Sequence, residues 1–119
     1  MPGVPRGLMA QAGQRRSARV LIDVPVVICG QSGDRREFRE ETFTVTVSAH
    51  GALLMLAANV SLGQKILMIN PTNSDEREAR IAYRGPIHAG LCQVAVEFNK
   101  PSPEFWPLSP APSDWPKSP

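Results

Sequence analysis

The residues best equipped for chemistry stand near the start of the chain. Arg15-Arg16-Ser17-Ala18-Arg19 puts three arginines within five residues, just ahead of the first strongly apolar run at 20–29. No carboxylate occurs anywhere in residues 1–19, so nothing nearby in sequence neutralises them. A guanidinium fork matches phosphate oxygens or a guanine edge two bonds at a time. Taken alone, the same residues also suit a solvated basic linker. A second stretch, Thr46-Val47-Ser48-Ala49-His50-Gly51, ends an alternating run with hydroxyls, an imidazole and a glycine. Ser48 can donate or accept a hydrogen bond. Gly51 suits a positive φ, or a backbone that must come close to something else. Taken alone, this stretch also reads as an ordinary hairpin turn.

Composition narrows what these residues can serve. At 119 residues the chain is one domain, and a hydrophobic fraction of 42% provides a modest core. The net charge is +2, but Arg6, Arg15, Arg16 and Arg19 give the first nineteen residues +4 and leave −2 for the rest. A positive field confined to one arm suits a small anionic ligand better than a long nucleic-acid track. Cys29 and Cys92 sit far apart in apolar runs and read as buried free thiols. No Cys/His spacing suggests zinc, so no metal site is expected. His50 and His88 fall in expected turns without a paired carboxylate or nucleophile, and both read as solvated or structural. No run approaches transmembrane length, and Leu8-Met9-Ala10 is too short for a signal-peptide core. A cytoplasmic protein without membrane insertion is the expectation.

The elements that must position these residues read as short strands. Residues 1–14 hold Gly3, Gly7, Gly13, Pro2 and Pro5 without periodicity and are expected to be a disordered arm. In residues 20–29, Val20, Ile22, Val24, Val26 and Ile28 share one apolar face that should point inward. Pro25, unable to donate a ladder bond, belongs at an edge or bulge. Residues 30–33 read as a turn and residues 34–41 as a solvated hairpin extension. In residues 42–48, alternation places Phe43, Val45 and Val47 inside and Thr42, Thr44, Thr46 and Ser48 outside. Residues 52–56 and 65–70 are further apolar strands. In residues 77–84, Ala79, Ile81 and Tyr83 should face in, with Gly85-Pro86 as the following turn. Cys92, Val94, Val96 and Phe98 share a face of the last strand. Six short strands with turn signals between them argue for an all-β, six-stranded antiparallel barrel, since closure removes exposed edges. Seven of residues 100–119 are proline, so the tail at 101–119 is expected to be irregular beyond one helical turn near 103–106. Phe105, Trp106 and Trp115 are its apolar anchors; folding back over the barrel is the expected use, and a partner-docking peptide is the alternative.

The arginines, the Ser48–Gly51 turn and the strand pattern together resemble the PilZ domain family. That family reads RxxxR and then [D/N]xSxxG. Arg15 and Arg19 fit the first motif, and Ser48 and Gly51 fit the second. Thr46 stands where the family has Asp or Asn, and Ala95 stands where its closing strand often has glycine. The likeness covers most of residues 15–100, the expected barrel domain. It implies a six-stranded barrel and a cyclic di-GMP site made of Arg15, Arg16, Arg19, Thr46, Ser48 and Gly51. It implies no enzymatic activity and no cofactor beyond that signalling ligand. In such a site the arm arginines would take phosphates or guanine acceptors while the barrel face forms a fixed platform. Replacing a charge-assisted acceptor by the Thr46 hydroxyl forfeits roughly 1.5–3 kcal/mol, or about ten- to a hundredfold in affinity.

Two functions from different classes follow. One is a receptor that binds cyclic di-GMP and relays it to an unidentified protein partner. The other is an adaptor for motility or attachment machinery that has lost the nucleotide. Binding of a nucleic-acid polymer is disfavoured, because the expected outer face has few aromatics for base stacking.

Overall fold

The computed structural model describes residues 17–108 and 110–116. Arg15, Arg16 and the arm at 1–14 therefore lie outside the described residues. The strands are β1 (Val20–Leu21), β2 (Pro25–Gln31), β3 (Glu37–Ser48), β4 (Gly51–Leu56), β5 (Lys65–Asn70), β6 (Asp75–His88) and β7 (Leu91–Phe98). They form one antiparallel sheet in the order β1-β3-β2-β5-β6-β7-β4, and a β3–β4 pairing closes it into a six-stranded barrel. β1 is the additional strand. It pairs with β3 beyond the end of β2, through Val20–Val47 and Leu21–Thr46. A single 3₁₀ turn, Pro103–Phe105, follows β7.

Inward faces follow the hydrophobic alternation over most of the barrel. Val24, Val26 and Ile28 are buried, as are Ala79, Ile81, Cys92, Val94, Val96 and Phe98. The run at 20–29, expected as one strand, is broken in two. Pro25 opens β2, a position where its missing N–H costs no interior ladder bond. Two hairpin positions also differ. Gly30 and Gln31 remain in β2, and the turn is carried by residues 32–36, where the Ser32 amide donates to the Arg36 carbonyl at 2.8 Å. Gly85-Pro86 does not turn the chain; β6 continues to His88, and Ala89 (φ 56°) and Gly90 (φ 81°) make the hairpin. The register with β7 shifts between Arg84 and Ile87, so Gly85-Pro86 marks an irregularity within the strand.

Two more bulges overturn the expected sidedness. In β3, Thr44 pairs with Leu54 but Thr46 pairs with Leu53, so Val45 is an extra residue. One extra residue exchanges the two faces of a strand. Phe43, expected inside, is exposed, and Thr44, expected outside, is buried. Beyond the bulge the parity is restored: Val47 is buried, and Thr46 and Ser48 point outward as expected. In β6, Ile81 pairs with Val96 but Tyr83 with Ala95, so Ala82 is extra and Tyr83 faces out with nearly half its surface exposed.

Burying a hydroxyl is tolerable only where it is bonded. The Thr44 hydroxyl accepts from the Val24 amide at 2.8 Å and donates to the Ile22 carbonyl at 2.7 Å. The Thr44 amide donates to the Val24 carbonyl at 3.0 Å. One residue thus spans the gap between β1 and β2. Thr44→Val keeps the shape and removes the hydroxyl, leaving the Val24 amide and the Ile22 carbonyl short of a partner. We expect a loss of about 1–3 kcal/mol in denaturant unfolding. Phe43→Thr, at an exposed position, should stay within roughly 0.5 kcal/mol. The reverse ranking would contradict the bulge.

Candidate functional site

Arg19, Thr46, Ser48 and Gly51 line one open cleft of about 670 Å³ on the outer wall of the barrel. They come from three segments: the chain before β1, the end of β3 and the start of β4. Pairing register explains why they meet. Leu21, Thr46, Leu53, Ala95 and Tyr83 are successive partners across β1, β3, β4, β7 and β6. Ser48, Gly51, Glu97 and Arg80 make the adjoining row across β3, β4, β7 and β6. The cleft therefore has a mainly apolar row beside a polar one. Sequence reasoning missed Tyr83, Gln93 and Glu97, which also line it. Glu97 was recoverable from the alternation of the last strand; Tyr83 was hidden by the Ala82 bulge. A larger hollow, of about 1170 Å³, lies near the β2–β3 hairpin and contains none of the expected residues.

The turn at 48–51 is held by its own side chains and by neighbours. Ser48 Oγ accepts from the His50 amide at 3.1 Å, which bends the chain locally. The bond leaves the Ser48 O–H as a donor, since a hydroxyl combines one donor with two lone pairs. His50 is half-buried, and a 3.0 Å hydrogen bond joins its Nδ1 to Oγ of the buried Ser17. The expectation for Gly51 needs a different reason. Its φ is 159°, almost extended, so the requirement is for space. A Cβ there would run into the Val96 carbonyl oxygen, a backbone atom of β7 that cannot swing aside.

The C-terminal segment ties the parts of the cleft together. Phe105 and Trp106 are buried with Phe98 in an aromatic cluster, with the Phe105 and Trp106 centroids 4.9 Å apart and edge-on to each other. Asn70 Nδ2 donates to the Phe105 carbonyl at 3.0 Å, and Arg77 Nη2 to Glu104 Oε2 at 2.9 Å. Burial works against the Arg77 charge, but Glu104 and Asp75 outweigh it and hold its pKa above the ordinary value. From this anchor, Trp106 Nε1 donates to the Ser48 carbonyl at 2.7 Å and the Ser102 amide to the Ala49 carbonyl at 2.8 Å. Further on, Trp115 Nε1 donates to the Ala18 carbonyl at 2.7 Å, and the Ala18 amide donates to Asp114 Oδ1 at 3.1 Å. Both peptide groups of Ala18 are gripped, one residue before Arg19. One segment therefore fixes both the 48–51 turn and the backbone just before Arg19.

Among the described residues, no group of His, Cys, Asp or Glu side chains is arranged to hold a metal ion. No helix among them is long and apolar enough to cross a membrane. No protein-family profile matches the chain, and no curated protein does. Among solved structures, the Bacillus subtilis inhibitor of motility, MotI/DgrA, is similar with a TM-score of 0.54 at 20% identity. The match covers 75% of this chain and 44% of that one, so it spans less than half of the longer protein. The likeness shows the fold, a PilZ-like barrel.

Two substitutions test this construction. Gly51→Ala should lower stability by about 1–3 kcal/mol, the usual cost of forcing an atom into filled space, whether or not any ligand is added. A neutral result in thermal or denaturant unfolding would mean that β4 and β7 are further apart than described. Asp114→Ala removes the acceptor of the Ala18 amide and leaves Trp115 in place. Exchange of the Ala18 amide with solvent should then speed up about two- to tenfold, the equivalent of one ordinary hydrogen bond. Unchanged exchange would mean that Asp114 does not hold the chain before Arg19.

Proposed function

We propose that this chain is a non-enzymatic receptor for cyclic di-GMP that passes its bound state to a protein partner in the cytoplasm. The observation that carries this reading is the convergence of Arg19, Thr46, Ser48 and Gly51, distant in sequence, on one cleft. The likeness of the fold to an inhibitor of motility is consistent with a regulatory partner protein. Cyclic di-GMP has two phosphates and two guanines. Arg15, Arg16 and Arg19 pair with phosphates or with the guanine O6 and N7 acceptors. Ser48 donates through its hydroxyl. The row of Leu53, Ala95 and Tyr83 offers a base an apolar and aromatic surface to lie on. Ordering the arginine arm on binding costs entropy, so affinity depends on how well the polar groups pair. The arm's change of position is the signal.

Thr46 favours the second reading, a PilZ-like adaptor that no longer binds the nucleotide. It brings one hydroxyl and no charge to the position of the family's carboxylate or amide. Calorimetric titration with cyclic di-GMP at one fixed salt concentration separates the two. For the receptor, Arg15→Ala and Arg19→Ala each weaken binding and flatten its salt dependence, while Arg6→Ala does much less. Thr46→Asp tightens binding by about ten- to a hundredfold. Heat from neither the wild type nor Thr46→Asp leaves the adaptor.

A further inference from the structure

A receptor for a guanine nucleotide must satisfy the donors on the base as well as the charge on its phosphates. The Watson–Crick edge of guanine presents N1–H and N2–H side by side. Arginines cannot meet them, having no acceptor. A carboxylate accepts both at once; a single hydroxyl accepts them poorly. Adenine presents one donor and one lone pair on the same edge, so a carboxylate fits only half of it. Among the described residues that line the cleft, Glu97 is the carboxylate.

Its setting suits that task. Val96 and Phe98 are buried, so the alternation of β7 turns Glu97 to the outer wall. Its partner across β4 is Gly51, which has no side chain, and beyond Gly51 stands Ser48. Ser48 and Glu97 are thus two strand spacings apart, about 10 Å between backbones, and both line the cleft. Two residues along β7, Ala95 lies in the row with Leu53 and Tyr83, on which a base plane can rest. Arg80 Nη2 donates to Glu97 Oε1 at 2.6 Å. The pair is neutral overall, so Glu97 does not repel an anionic ligand. The bond also holds the carboxylate in one orientation. A carboxylate has about four acceptor sites, and the Arg80 bond uses one of them.

We infer that Glu97 determines base specificity in this cleft: its carboxylate accepts the paired N–H groups of a guanine edge and disfavours adenine. The inference rests on the receptor reading. It assigns to β7 the acceptor role that threonine at position 46 fills poorly.

The experiment is a calorimetric titration of wild type, Glu97→Gln and Arg80→Met, each with cyclic di-GMP and with cyclic di-AMP at one salt concentration. The wild type should prefer cyclic di-GMP. Glu97→Gln, nearly the same shape, should lose about ten- to a hundredfold in affinity for cyclic di-GMP and little for cyclic di-AMP, so that the preference collapses. Arg80→Met keeps the carboxylate and should keep the preference, although overall affinity falls. If Glu97→Gln binds with the preference of the wild type, Glu97 is not the reader, and the receptor reading stands without it. Equal loss of preference in Glu97→Gln and Arg80→Met would make the ion pair a structural brace and overturn the inference. A wild type that binds neither nucleotide removes the receptor reading and this inference together.

Discussion

The buried hydroxyl of Thr44 holds the first turn of this barrel together. Regular strand pairing with β3 lapses at residues 22–24, and the Thr44 hydroxyl bonds to both sides of the gap. It reaches them because Val45 bulges out of β3. The same bulge lets Thr44 face in and Thr46 and Ser48 face out within a few residues. Without it, the strand would continue with one parity and could not serve both the core and the outer cleft. The cleft is therefore a consequence of how the barrel closes its first seam.

A second dependence runs through the C-terminal segment. A barrel of this size has two open ends, and its aromatic residues are few. Phe98, Phe105 and Trp106 gather at one place, close to the Ser48–Gly51 turn. Burying such side chains contributes on the order of 1.5–3 kcal/mol each, enough to order a proline-rich segment with little secondary structure. Trp115 and Asp114 then carry that order to Ala18. Packing at the foot of the barrel is in this way connected to the backbone just before Arg19.

Gly51 shows how a motif residue can have a structural reason. In the resemblance it belongs to a ligand turn, and its value there is closeness to a ligand. In the fold, the space beside it is occupied by the Val96 carbonyl. Replacing it would disturb the β4–β7 pairing first. Ser48 has a double use as well, since its oxygen shapes the turn through the His50 amide while the residue also lines the cleft. Fold and site share these atoms, and mutational effects at either position have to be read against stability.

Alternation along the chain determined the all-β class, the strand sequence and most of the core, because a sheet with one wet face must bury every second residue. That is why Ile28, Ile81, Val94 and Val96 could be placed without a structure. It also determined that Thr46 and Ser48 share the outer wall. Bulges lay outside its reach. An extra residue leaves no mark in a hydrophobic pattern, so Phe43, Thr44 and Tyr83 came out on the opposite faces, and Gly85-Pro86 read as a turn. Only the tertiary structure decided which rows lie side by side, since register depends on closure of the whole sheet. That closure brought Glu97 and Arg80 beside Gly51 and Ser48, and it set Trp115 against Ala18, ninety-seven positions away. Sequence patterns report local periodicity; contacts between strands so far apart are fixed by packing alone.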